Sequence, residues 1–231
     1  MDLVETLRTT GAIREFRAEP VPDEVLYRVL ETARFAPSGG NRQGWRLICV
    51  QDPSTRRALR DLYCGVWYQY LAAVSAGLVP FAPVTDRAAE QAAMARSGEL
   101  AARAAAGGGG FAEHLDEVPV LLVLLADLRA LAATDRDLDR YSIVGGASIY
   151  PFAWNILLSA RDAGLGGVIT TMVTRDEPTA KQLLGVPDEY AVAALLALGH
   201  PRAQPRQLRR AAVADFTTID RFDGPPLRAE L

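Results

Sequence analysis

Apolar residues recur along this chain in two periods. Residues 118–126 form the longest apolar run, too short to span a bilayer. Residues 120–126 within it read as a strand buried on both faces. Residues 46–50 and 190–198 are further apolar strands, and 166–171 is a strand entered through two glycines. Helical spacing governs the rest. Leu3, Val4 and Leu7 mark a short helix that ends near Gly11. Pro20 and Pro22 break the chain, Asp23 and Glu24 supply acids to a first turn, and Val25, Leu26, Val29, Leu30 and Ala33 form an apolar stripe. Asp52-Pro53-Ser54 caps a helix through Leu59 and Leu62. Ile149, Phe152, Ala153, Ile156, Leu157 and Ala160 track one face of a helix over 147–163, stopped by Gly164. A last helix over 178–184 ends at Gly185. Strands separated by helices predict one central sheet in an α/β or α+β sandwich.

Between these elements three stretches stand out. The first is Ala36-Pro37-Ser38-Gly39-Gly40-Asn41-Arg42-Gln43-Gly44-Trp45. Pro37 blocks helix continuation, Gly39 and Gly40 permit left-handed angles, and Ser38, Asn41 and Gln43 supply short polar groups. Local chemistry leaves two readings, a helix C-cap turn or a cradle for a flat, phosphate-bearing ligand. The second stretch, 65–115, is the least regular, with Trp67, Tyr68 and Tyr70 crowded together and an alanine-rich helix over 86–106. It closes on Gly107-Gly108-Gly109-Gly110, which reads as a linker or as the hinge of a lid. The third is the last thirty residues, polar and rich in Arg and Pro, with too little apolar content for a core of their own.

Composition narrows the function classes. The 231 residues are 49% hydrophobic, enough for a full core, and the net charge of −3 argues against a nucleic-acid partner. Two cysteines make no disulfide framework, and Cys49 reads as buried packing. Acids at the N-terminus do not resemble a secretory leader, so a cytoplasmic protein without membrane attachment is expected. Two histidines, His114 and His200, have no metal-ligand spacing around them. No G-x-G-x-x-G, H-E-x-x-H, C-x-x-C or G-x-S-x-G occurs at a position where it would act. With so thin an inventory, an enzyme of this sequence relies on a cofactor for its hard chemistry, with no catalytic side chain of its own. Arg14 and the cluster Arg202, Arg206, Arg209 and Arg210 are either solvated surface or phosphate contacts.

Four blocks, in order, resemble the nitroreductase family of flavin mononucleotide (FMN) enzymes over nearly the whole chain. Ile13-Arg14-Glu15-Phe16 with Glu19-Pro20-Val21 is similar to the family's R-S-x-R-x-F…P-V block, and residues 36–45 to its A-P-S-x-x-N-x-Q-P-W loop. Residues 155–166 are similar to N-L-L-L…G-L-G, and 196–201 with Leu208-Arg209-Arg210 to the last strand and phosphate-contacting arm. The resemblance implies a single α+β domain over 1–231, a three-layer sandwich with a mixed, mainly antiparallel sheet. It also implies a lid at 65–115 and a C-terminal arm over 200–231 that wraps a partner. It further implies a homodimer with FMN at the interface. Arg14 would face the pyrimidine edge of the flavin and stabilise its anionic reduced form. Pro37, Ser38, Gly39, Asn41 and Gln43 would line it from the other subunit. Ile169, Thr170 and Thr171 would offer a backbone amide to the hydride-accepting nitrogen, and Arg209 with Arg210 would hold the phosphate. The implied reaction is ping-pong hydride transfer from NAD(P)H or a deazaflavin to a small aromatic or quinone-like acceptor. Other family branches fragment flavin, dehalogenate iodotyrosine or oxidise peptide azoles. Two departures stand in the motifs: Gly11 and Ala12 replace the usual Arg and Ser, and Gly44 replaces a proline.

Overall fold

The computed structural model describes residues 1–228. The apolar run forms strand β2 (Val120–Asp127), and its side chains alternate between two cores. Leu122, Leu124 and Ala126 join one, and Leu121, Val123 and Leu125 the other. A strand with no solvent face needs a layer on each side. β2 pairs antiparallel with β1 (Trp45–Cys49) and with β4 (Tyr190–Gly199), and β3 (Gly166–Thr170) pairs antiparallel with β4. The sheet order is β1-β2-β4-β3 with all three strand pairs antiparallel, and the N-terminal segment adds an isolated parallel bridge between Ala12 and Gly167. Helices α2 (Asp23–Ala33) and α6 (Tyr150–Asp162) cover one face through Val29, Ala33, Phe152 and Ile156. Helices α3 (Pro53–Ser75) and α7 (Glu177–Leu184) cover the other through Leu59, Tyr63 and Ala180. The result is the predicted three-layer α+β sandwich. Each leucine fully buried in it contributes roughly 1.5–3 kcal/mol.

The first helix forms as expected, and four local expectations after it change. Helix α1 (Leu3–Thr9) turns its threonines inward, and Leu3, Val4 and Leu7 face solvent. Thr6 and Thr9 are buried at no polar cost because their hydroxyls donate back to the Asp2 and Glu5 carbonyls, both at 2.8 Å. Helix α3 runs on through Gly65 to Ser75 and carries Trp67, Tyr68 and Tyr70, so this part of 65–115 is regular. The alanine-rich helix is two, α4 (Arg87–Met94) and α5 (Ser97–Ala106), broken at Ala95 and Arg96. The glycine run is a built turn: Gly108 and Gly109 take left-handed angles, and the Gly109 N–H donates to the Ala104 carbonyl at 3.0 Å. Cys49 is exposed at the end of the edge strand rather than buried. The arm carries one short helix, α8 (Val213–Phe216), and a bridge between Thr218 and Pro226.

Candidate active site

Residues 12–17 run along the outer edge of β3. The Ile13 N–H donates to the Gly167 carbonyl at 2.9 Å, and Ile13 occupies the space a side chain at Gly166 would need (2.7 Å to Cγ1). Gly167 is equally constrained, since a Cβ there would meet Leu198 Cδ2 at 2.4 Å and the Ala197 carbonyl oxygen at 2.7 Å. The two glycines therefore let the N-terminal segment lie flat on the sheet edge. With Ile13 directed inward, Arg14 projects outward and is exposed. The chain after β4 closes over the same segment: the Arg17 N–H donates to the His200 carbonyl at 2.8 Å and the Arg202 N–H to that of Glu15 at 3.0 Å.

Arg14 thereby lines a cleft of about 700 Å3, together with Phe16, Arg17, Phe111, His114 and Arg202. The volume suits a cofactor. Among the described residues, Arg14, Arg17, Arg202, Arg209 and Arg210 form no ion pair. His114 Nε2 lies 2.9 Å from the Gly108 carbonyl oxygen, and Nδ1 lies 3.2 Å from Glu117 Oε1. These acceptors hold its pKa above the ordinary histidine value, the Gly108 carbonyl most. The lining carries three arginines, Arg14, Arg17 and Arg202, against two glutamates, Glu15 and Glu117.

Phe16 and Phe111 line the cleft, and an aromatic cluster lies behind Phe111. Tyr63 of α3 is 2% exposed, and its phenol oxygen accepts the Thr170 hydroxyl at 3.2 Å. Burial pushes the phenol pKa up, so it stays neutral. The Phe111 ring stands edge-on to Tyr63 at 6.0 Å, and Trp67 stacks on Tyr70 at 5.3 Å. Tyr63 thus links the β3 exit, where Ile169, Thr170 and Thr171 lie, to the cleft that holds Arg14. The sequence reading missed Tyr63, Phe111 and Arg17. The signal for Tyr63 was present: Leu59, Tyr63 and Val66 repeat at helical spacing.

The arm reaches the same region. Gln204 Nε2 donates to the Thr9 carbonyl at 2.8 Å, and Pro205 and Leu208 fill the space above Gly11. Arg209 and Arg210 follow directly and are exposed. A Cβ at Gly11 would sit 3.0 Å from Pro205 Cγ and 3.1 Å from Leu208 Cδ2, a tight fit against the arm.

The loop before β1 lies elsewhere. Ser38 Oγ accepts the Gln43 N–H at 2.9 Å, the Gly39 N–H donates to Ser148 Oγ at 3.1 Å, and Gln43 Nε2 donates to the Asn41 carbonyl at 3.2 Å. Asn41 and Gln43 both take left-handed angles (φ 52° and 51°), a strain that clusters at ligand sites. Pro37, Gly39 and Asn41 are exposed. Gly44 packs on Ala130, whose Cβ would lie 2.8 Å from a Cβ at 44, so a proline there would clash. Asp135, 3% exposed, ties the following segment: it accepts the Ile143 N–H at 2.8 Å, the Ser142 hydroxyl at 2.7 Å and Arg140 Nη1 at 2.7 Å. The loop enters β1, and Arg14 borders β3, on opposite edges of the sheet. Three strand spacings of about 4.8 Å separate these edges by roughly 14 Å. Within one chain Arg14 therefore lies at the β3 edge, and Pro37, Ser38, Gly39, Asn41 and Gln43 lie at the β1 edge.

The fold is a three-layer sandwich with a cleft beside its sheet edge, lined by arginines, glutamates and two phenylalanines. Residues 7–200 match the model of the Nitroreductase family, and the chain belongs to that family, which makes it an oxidoreductase of that kind. It is 33% identical over 198 residues to the NADH dehydrogenase of Thermus thermophilus, covering 82% of each chain. It is 31% identical over 205 residues to the 5,6-dimethylbenzimidazole synthase of Rhodospirillum rubrum, covering 83% of this chain and 78% of the relative. The NADPH:FMN oxidoreductase of Vibrio harveyi, solved in complex with NAD+, shares the fold with a TM-score of 0.64 at 21% identity, over 95% of this chain and 77% of that one. No described helix is long and apolar enough to cross a membrane.

Proposed function

We propose that the protein is a homodimeric FMN-dependent oxidoreductase. It passes hydride from a reduced nicotinamide or a deazaflavin to a small electrophilic acceptor such as a nitroaromatic or a quinone. The observation that carries this is the cleft, where Arg14 forms no ion pair among the described residues and shares the lining with Phe111, which packs edge-on against Tyr63, the partner of Thr170 at the β3 exit. The donor set fits the cofactor. Arg209 and Arg210 match a phosphate, Arg14 matches the ring edge that gains negative charge, and the amides at Thr170 and Thr171 leave a strand end. FMN, when bound, supplies the hydride-accepting ring, and the chain supplies position and charge.

The second group of contacts supports two copies. Pro37, Ser38, Gly39, Asn41 and Gln43 serve the partner's cleft, since their own lies across the sheet. Large apolar side chains stand open in the single chain, among them Phe35 at 74% and Phe222 at 101% exposure, with Tyr27 and Trp154 nearby on α2 and α6. A partner surface accounts for them. The arm packs on its own chain as far as Leu208, so wrapping of the partner begins at the exposed residues beyond, including Phe216.

Purified protein gives the test. A yellow protein that bleaches on NADPH and recolours on a nitroaromatic meets the proposal. A second reading is a flavin-sequestering protein, favoured by the missing donors at Gly11 and Ala12. It predicts a yellow protein that no reductant bleaches. Colourless protein that takes up no added FMN contradicts both.

A further inference from the structure

Beyond the Tyr63–Thr170 contact lies a second cavity of about 470 Å3. Its walls are Val66 and Tyr70 of α3, Pro80 and Phe81, and Thr171 and Arg175 of the turn that leaves β3. Three observations at this cavity point the same way. Phe81 has φ +59°, a conformation a bulky side chain rarely adopts. It is held there by its N–H, which donates to Glu90 Oε1 at 2.6 Å, and Glu90 is only 5% exposed. A buried carboxylate on α4 thus fixes a strained backbone so that the Phe81 ring stands at the cavity wall, and such strain collects at ligand clamps.

The second observation is Arg175. Its guanidinium lies 5.1 Å over the Phe81 ring, and it forms no ion pair among the described residues. Stacking holds the guanidinium plane and leaves its N–H fork free for a planar anion. The third is the opposite wall, where Tyr70 is stiffened by near-parallel stacking on Trp67, at 8°. Aromatic walls with one free guanidinium suit a flat ring that carries a carboxylate or phenolate. A neutral ring gains the stacking and none of the charge pairing.

We infer that this cavity receives the aromatic acceptor, that the acceptor is an anion, and that Arg175 selects it. Naming the occupant an acceptor rests on the flavin reading above; its charge and shape rest on the cavity alone. The test is calorimetric titration of the full chain with 4-nitrobenzoate and with neutral 4-nitrobenzamide, with and without saturating FMN. The wild type is expected to bind the benzoate about tenfold tighter or more, the scale of one charge-assisted hydrogen bond. Arg175→Gln is expected to lower benzoate binding to the benzamide level and leave benzamide binding unchanged. Arg175→Lys keeps the charge without the fork and is expected to fall between. Equal affinities in the wild type, or an anion preference that survives Arg175→Gln, overturn the inference. Failure to take up FMN overturns the flavin reading instead, and the anion preference is still read in the flavin-free titration.

Discussion

Gly11→Arg restores the residue type usual in the family at this position and is expected to weaken FMN binding. A Cβ at position 11 would lie 3.0 Å from Pro205 Cγ and 3.1 Å from Leu208 Cδ2, with Pro205 Cβ next at 3.8 Å. All three atoms belong to the arm, so the new side chain starts out inside the arm rather than in the cleft. The proline ring cannot rotate away, and relief has to come from movement of the arm. Overpacking of this sort costs about 1–3 kcal/mol. The arm is anchored upstream by Arg202, whose N–H and Nε donate to the Glu15 and Phe16 carbonyls, and here by the 2.8 Å bond from Gln204 to the Thr9 carbonyl. If Arg209 and Arg210 hold the phosphate through a docked arm, that cost appears as a rise of about 5- to 150-fold in the FMN Kd. Titration of FMN fluorescence measures it, and limited proteolysis reports whether the arm has lifted. Gly11→Ala, a smaller intrusion, is expected to lie between wild type and Gly11→Arg. An arginine variant that binds FMN as tightly as wild type, or tighter, refutes this steric account.

Arg209→Ala is expected to weaken FMN binding by about 1.5–3 kcal/mol, the scale of a charge-assisted hydrogen bond, and an unchanged Kd in titration removes Arg209 from the phosphate role. Gly167→Ala would drive a Cβ to 2.4 Å from Leu198 Cδ2 and 2.7 Å from the Ala197 carbonyl oxygen. It is expected to lower stability by about 3 kcal/mol in denaturant unfolding, and a shift near zero contradicts the close packing of β3. Asp135 is held well below the usual carboxylate range, first by the Ile143 N–H and then by the Ser142 hydroxyl. A lowered folded pKa gives stability that is complete above the unfolded value of about 3.9 and is lost as pH falls through the folded one. The wild-type melting temperature is therefore expected to drop more steeply than that of Asp135→Asn below about pH 4, and parallel curves in thermal melts contradict the anchoring role.

The sandwich was legible because β2 and β4 are apolar on both faces and α2 and α6 carry clear stripes, so local pattern and burial agree. Helix α3 was legible only through Leu62 because a glycine and a run of aromatics weaken helical propensity, and packing of Leu59, Tyr63 and Val66 overrides that weakness. Helix α1 was legible as a helix, though its buried face was not. Its leucines signal a helix correctly but not which side is buried, and threonines that bond their own backbone can take the inner face. Asp135 sits among other polar residues, and nothing in one dimension says that a carboxylate will gather donors from Arg140, Ser142 and Ile143. For the site, Arg14 and the loop holding Asn41 and Gln43 stood out by local chemistry, and the resemblance chose between their two readings. Tyr63 and Arg175 did not stand out, because their roles come from neighbours more than ninety residues away in sequence.

The central claim is that each flavin site is shared between two chains. It is tested most directly by mixing Arg14→Ala with Asn41→Ala chains, unfolding and refolding them together, and measuring bound FMN. In a mixed dimer one cleft carries both substitutions and the other carries neither. The account predicts that the separate variants bind FMN weakly and that the mixture regains wild-type affinity at roughly a quarter of its sites, as two-fold symmetry requires. If the mixture binds no better than the separate variants while mixed dimers are present, all the contacts come from one chain, and the shared site is contradicted.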